Sequence, residues 1–100
     1  IKPVVILPCV RMGRPMNVRQ LEIFQAVMRH RSVTDAARAL GVSQPAVTKS
    51  LRLLEEGLGF PLFRRVGGRL FPSAEAEILL PDAARLADDL RTVAELARRL

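Results

Sequence analysis

The sequence predicts a mainly α domain in which three short helices and a two-stranded hairpin are followed by one long helix. Three observations carry that prediction. Apolar residues recur at helical spacing in three consecutive blocks, a Gly-Gly pair separates two short apolar-rich runs, and an alternating four-three apolar spacing occupies the end of the chain. With 100 residues, 49% of them hydrophobic and 26% charged, the chain is expected to form one soluble domain. It can bury roughly 60–65% of the surface its unfolded form exposes, so it needs no disulfide or metal staple.

Residues 1–16 contain three prolines and no helical period, and are read as a tail, disordered or non-native. From Asn17, a helix cap, Leu21, Phe24 and Met28 recur at three and four residues, giving a first helix to about residue 30. Ser32 or Thr34 caps the next helix, where Val33, Ala36, Ala37 and Leu40 share one face and Gly41 ends it. Ser43 caps a third helix with Pro45 in its first turn, where a missing N–H removes no hydrogen bond. Val47, Leu51, Leu54 and Leu58 form its apolar stripe, while Pro45, Lys49, Arg52 and Glu56 lie opposite, with Thr48 at the margin.

Three short helices with a tight Gly-containing connection are the sequence form of a helix-turn-helix. Small Ala36, Ala37 and Ala46 are expected to let two helices cross closely, leaving the third helix's polar face free to lie in a groove about 12 Å wide. Beyond Gly59, two short strands flank Gly67-Gly68 and make a hairpin, a wing. Leu62, Phe63, Leu70 and Phe71 are expected to pin it to the helices, and Arg64, Arg65 and Arg69 to project near its tip toward phosphates. In the last segment, 73–100, Leu79, Ala83, Leu86, Leu90, Val93, Ala97 and Leu100 follow the period of a coiled-coil seam. Such a seam either pairs with a second copy or packs back onto its own domain. Pro81 is expected to kink this helix or confine its continuous part to the residues after it.

Charge narrows the partner. Sixteen Lys and Arg against ten Asp and Glu give +6, with a pI near 11.2, which favours polyanions. Fourteen of the sixteen are Arg, a bias that a GC-rich genome also produces, so distribution says more than composition. Residues 17–72 carry nine basic and four acidic side chains, residues 73–100 four and six, which separates a cationic binding unit from a slightly acidic helix with another task. Lone Cys9 and His30 support neither a zinc cluster nor a catalytic pair, so no enzyme, metal or other cofactor is expected. The longest uncharged apolar run, residues 4–10, is too short to cross a bilayer.

The stretches NVRQLEIFQAV, SVTDAARALGVSQPAVTKSLRLLEEGLGFPLFRR and ILLPDAARL carry a resemblance to the N-terminal DNA-binding domain of LysR-type transcriptional regulators, covering residues 17 to about 86. That resemblance implies a winged helix-turn-helix at 17–72, then a linker and dimerisation helix at 73–100. It implies a cytoplasmic bacterial regulator that binds double-stranded DNA sequence-specifically as a homodimer. The family adds an effector-binding domain beyond, so the 100 residues are expected to be a DNA-binding fragment without a small-molecule effector site.

By resemblance the recognition helix is 43–55, with Ser43, Gln44 and Pro45 entering the major groove and Thr48, Lys49 and Arg52 as base or phosphate contacts. Lys49 stands where the family commonly has Arg, and an ammonium lacks the planar fork that grips guanine bidentately. Gln44 can pair bidentately with adenine. Thr34 matches a helix start that meets phosphate. Arg65 aligns with the Arg of the Leu-Phe-x-Arg motif, whereas Arg64 stands where Glu is frequent and Arg69 lies past the tip. Phe71, Pro72, Ser73, Ala74 and Glu75 replace the family's Leu-Thr-x-Ala-Gly. The alternative reading is a winged-helix dimerisation or protein-interaction module that does not bind DNA.

Overall fold

A computed structural model describes residues 16–100; the rest of the expected tail, including Lys2, Cys9, Arg11 and Arg14, lies outside the described residues. The elements are α1 (Val18–His30), α2 (Val33–Leu40), α3 (Gln44–Leu58), β1 (Phe63–Val66), β2 (Arg69–Pro72) and α4 (Ala74–Arg99). Helix α1 is the hub, packing against α2, α3 and α4. Among the described residues no helix is long and apolar enough to cross a membrane.

Local chemistry sets most boundaries. Asn17 Oδ1 accepts from the Gln20 amide at 2.8 Å and Gln20 Oε1 accepts from the Asn17 amide at 3.1 Å, a reciprocal cap that opens α1. The helix ends at Arg31, whose φ of 56° is left-handed and uncommon outside glycine. Three hydrogen bonds hold it there: its amide donates to the Val27 carbonyl, its Nε to the Met28 carbonyl, and its own carbonyl accepts from the Leu70 amide. The last of these fastens the wing to the corner between α1 and α2.

Ser32 caps α2, its hydroxyl accepting from the Asp35 amide at 3.2 Å, which decides between the two caps the sequence offered. Ser43 does the same for α3 through the Ala46 amide at 3.2 Å. Helix α3 runs to Leu58, three residues beyond the expected limit of its recognition segment, and stops at left-handed Gly59.

Two apolar clusters close the fold. One joins Ile23, Val27, Ala36, Ala37, Val47, Leu51 and Leu70; the other joins Phe24, Met28, Leu54, Leu62, Ala76 and Ala83. Fully burying a side chain of the size of Val47 or Leu62 contributes about 1.5–3 kcal/mol, so α3 is anchored along its whole length. Phe24 and Phe63 bridge the helices to the wing, with ring centres 6.0 Å apart and planes tilted by 50°.

In the wing, β1 and β2 pair antiparallel in the register Phe63↔Pro72, Arg64↔Phe71, Arg65↔Leu70, Val66↔Arg69. Gly67 and Gly68 both have positive φ, as the two-residue turn matching strand twist requires. Two expectations are corrected here. Leu70 is buried but Phe71 is 38% exposed, because successive side chains on a strand point to opposite faces and only one of the two can face the core. Ala46 is exposed as well, so the packing of α2 on α3 uses buried Ala36 and Ala37 against Val47 and Leu51 and leaves Ala46 outside it.

Helix α4 begins at Ser73 despite the altered motif. The Ser73 hydroxyl accepts from the Ala76 amide at 3.1 Å and donates to the Pro61 carbonyl at 2.9 Å. Glu75 and Glu77 in the first turn suit the positive end of the helix dipole. The helix starts well before Pro81 and passes through it, so the proline does not confine the continuous part to the residues that follow. At about 1.5 Å per residue its 26 residues span about 39 Å.

The expected seam divides in two. Ala83 is buried and Leu79 half-buried against Phe24, Leu54 and Leu62, so these two of the expected dimer contacts pack onto the domain's own core. Leu86, Leu90, Val93, Ala97 and Leu100 are exposed, and Leu96, which the four-three spacing passes over, joins them.

Candidate nucleic-acid interface

Helix α3 has a closed face and an open one. Val47, Leu51 and Leu54 are buried, and turning about 100° per residue brings Pro45, Thr48, Lys49, Arg52 and Glu56 to solvent on the other side, with Ser43, Gln44 and Ala46 exposed at its start. A lysine and an arginine sealed inside would have ended the groove-binding reading; both are exposed. Arg52 Nη1 lies 2.9 Å from Glu56 Oε2, an exposed pair one helical turn apart.

The hairpin register sorts the wing arginines onto two faces. Arg65 shares a face with Leu70 and lines a cleft of about 180 Å³ together with Thr48, Leu51, Arg52 and Glu55 of α3. Arg64 and Arg69 share the other face with Val66 and Phe71. One basic surface therefore runs continuously from α3 onto the inner side of the wing, and two more arginines flank the ribbon's outer side.

Thr34 is exposed in the first turn of α2, where Ser32 already takes up the Asp35 amide. The Asp35 carboxylate beside it is paired with Arg38 at 3.2 Å and places negative charge near the point where a phosphate would sit.

All four acids of the 17–72 unit are engaged. Glu22 pairs with Arg19, Asp35 with Arg38 and Glu56 with Arg52. Glu55 turns inward and accepts from the amides of Leu62 at 2.7 Å and Phe63 at 3.2 Å. Among the described residues no carboxylate lies within ion-pair reach of Lys49, Arg64, Arg65 or Arg69. Arg29 and Arg31 at the end of α1 and Arg98 and Arg99 at the end of α4 are also without a carboxylate partner among the described residues, so what sets α3 and the wing apart is that Lys49 and the three wing arginines are unpaired cations on neighbouring elements.

Glu55 is the structural residue that the sequence reading passed over. It ties the end of α3 to the start of the wing and so fixes the angle between the two basic elements. Its signal was present: four residues after Leu51, it falls at the margin of the apolar stripe, where a half-buried acid calls for an internal donor. His30 is half-buried in the last turn of α1, away from α3 and the wing tip in sequence and element.

Residues 18–77 match the bacterial regulatory helix-turn-helix protein family, lysR. The HTH-type transcriptional regulator DgcR of Pseudoalteromonas sp is 41% identical over 85 residues, 85% of this chain and 29% of its own length. AdmX of Serratia plymuthica, another HTH-type transcriptional regulator, is 47% identical over 85 residues, 85% of this chain and 28% of its own. The chain spans less than a third of the length of these curated relatives. Among solved structures it is similar to the BenM_DBD/catB site 1 DNA complex, with TM-score 0.77 and 28% identity over 84% of this chain and 94% of that one. Three helices, a two-stranded antiparallel wing and a long C-terminal helix are the winged helix-turn-helix architecture of such DNA-binding domains. The match over 18–77 settles the question of kinship: the chain belongs to the lysR family of bacterial regulatory helix-turn-helix proteins.

Proposed function

We propose that this chain binds duplex DNA sequence-specifically as a homodimer and so controls transcription in the bacterial cytoplasm, catalysing no reaction. The single observation that carries the reading is the outward polar face of α3, braced by a closed apolar core and continuous with the inner side of a basic wing. In this reading the start of α3, with Ser43, Gln44 and Pro45, enters the major groove. Gln44, Pro45, Thr48, Lys49 and Arg52 supply discrimination. Arg65 on one side of the ribbon and Arg64 and Arg69 on the other reach phosphates on the two walls of the adjacent minor groove. Thr34 contributes a weaker backbone contact, because Asp35 opposes it.

The exposed stripe of α4, Leu86, Leu90, Val93, Ala97 and Leu100, pairs two copies and sets two recognition helices about 34 Å apart or a multiple of that spacing, on an interrupted palindrome. Selection of bound duplexes from a random library supplies the site. Lys49→Ala is then expected to weaken binding to that site by about tenfold and to leave binding to a scrambled duplex nearly unchanged. An equal loss on both moves Lys49 to the phosphate backbone. Affinity that does not respond to salt defeats the DNA reading altogether, because phosphate contacts release counterions.

A further inference from the structure

On the outward face of α3 only one side chain is acidic. Glu56 lies within about 20° of Lys49 and 40° of Arg52 when α3 is viewed end-on, at the centre of the surface proposed to face DNA. It sits eleven residues after Pro45, roughly 16 Å along the axis, where a helix inserted by its N-terminus leaves the groove and passes the phosphates. A carboxylate there opposes binding, yet it holds Arg52 at 2.9 Å. Its neighbour Glu55 is committed to the Leu62 and Phe63 amides, so Glu56 contributes nothing to joining the wing.

We infer that Glu56 is a positioning residue for specificity: it tethers Arg52 so that the guanidinium is withheld from indiscriminate phosphate contact and released only where a base edge competes for it. The inference rests on the DNA-binding reading. The arginine precedes the glutamate, the weaker order for an i,i+4 pair, so the tether is easily exchanged for a better partner. For Arg52 to grip an arbitrary phosphate, the pair must break while the freed carboxylate stays close to the backbone. That penalty falls on every sequence, and only a site offering Arg52 a base-edge bond offsets it.

The experiment uses the whole chain, a duplex recovered by selection from a random library and its scrambled counterpart, each titrated across a salt series. Glu56→Gln is expected to tighten binding to the scrambled duplex by about threefold to tenfold and to steepen the log-log salt slope by about 0.9, the signature of one added phosphate contact. The selected site gains less, so the specificity ratio falls. Glu56→Asp, which keeps the charge, is expected to restore part of the ratio. In an Arg52→Ala background, Glu56→Gln is expected to leave the slope unchanged. An unchanged ratio, or the same gain with and without Arg52, overturns the tether and leaves Glu56 as a bare repulsive charge or a bystander. A parent chain with no salt-dependent binding to either duplex defeats the underlying reading instead, a result that separates the two failures.

Discussion

Helices α3 and α4 carry the same pattern and meet different fates. Both space their apolar residues by fours and threes, and both set charged residues on the other side. In α3 the stripe is covered throughout, Val47 at 0% and Leu54 at 2% exposure. In α4 the cover lasts as far as Ala83, after which Leu86 is 45% exposed and Val93 62%. Periodicity therefore states that a face needs covering, and says nothing of what covers it. For α3 the answer lies within the domain and leaves the polar side to meet DNA. For the distal half of α4 the domain itself leaves the stripe exposed, and a second copy of the same stripe is the cover proposed above.

The comparison breaks first if the cover over α3 is removed. Phe24, 1% exposed, packs in the cluster that seats Leu54 and Leu62 and stands beside the Phe63 ring. Phe24→Ala is expected to destabilise the chain by about 3–5 kcal/mol, through lost apolar burial and a residual cavity. Thermal unfolding checks it. A loss below ~1 kcal/mol would mean that α3 is held chiefly by its contacts with α2, and that the second cluster is dispensable.

A smaller effect is expected at Glu55, and it shows why neighbouring, chemically identical side chains differ. Glu55→Ala leaves the Leu62 and Phe63 amides without their charged acceptor, which is expected to destabilise the fold by about 1.5–3 kcal/mol and to loosen the wing. Glu56 carries the same charge one residue along, yet its exposed pair adds well under ~1 kcal/mol to stability. Chemical denaturation of Glu55→Ala and Glu56→Gln side by side sharpens the contrast. Equal losses would merge the structural and the DNA-facing glutamates into one class.

The parts of the fold legible in the sequence were those written in local chemistry. Asn17, Ser43 and the Gly67-Gly68 turn sit where their backbone preferences place them, and the outward position of Lys49 and Arg52 follows from the α3 stripe alone. The parts that escaped depend on what arrives from elsewhere. Glu55 needs the chain to fold back seven residues later before its acceptor role exists. Arg31 takes a glycine-like conformation because the wing amide of Leu70 and the end of α1 hold it. Ala46 looked like a crossing residue by size, and only the placement of α2 shows that it lies outside that packing. The outward position of Phe71 is itself legible in the sequence, since strand alternation forbids Leu70 and Phe71 from sharing a face.

The least disruptive test falls on the distal half of α4. Val93 touches neither apolar cluster and is mostly exposed, so Val93→Glu is expected to change the stability of the isolated domain by no more than about 0.5 kcal/mol. A seam between two copies, by contrast, would be forced to bury two new carboxylates at facing positions, so the same substitution is expected to shift the sedimentation mass from dimer to monomer. It should also weaken binding to a two-half-site duplex while sparing a single half-site. A parent chain that sediments as a monomer, or a variant that stays dimeric, would show that the exposed stripe is not covered by its own copy. A different partner would then have to cover that face of α4, while the groove-facing side of α3 would stand unaffected.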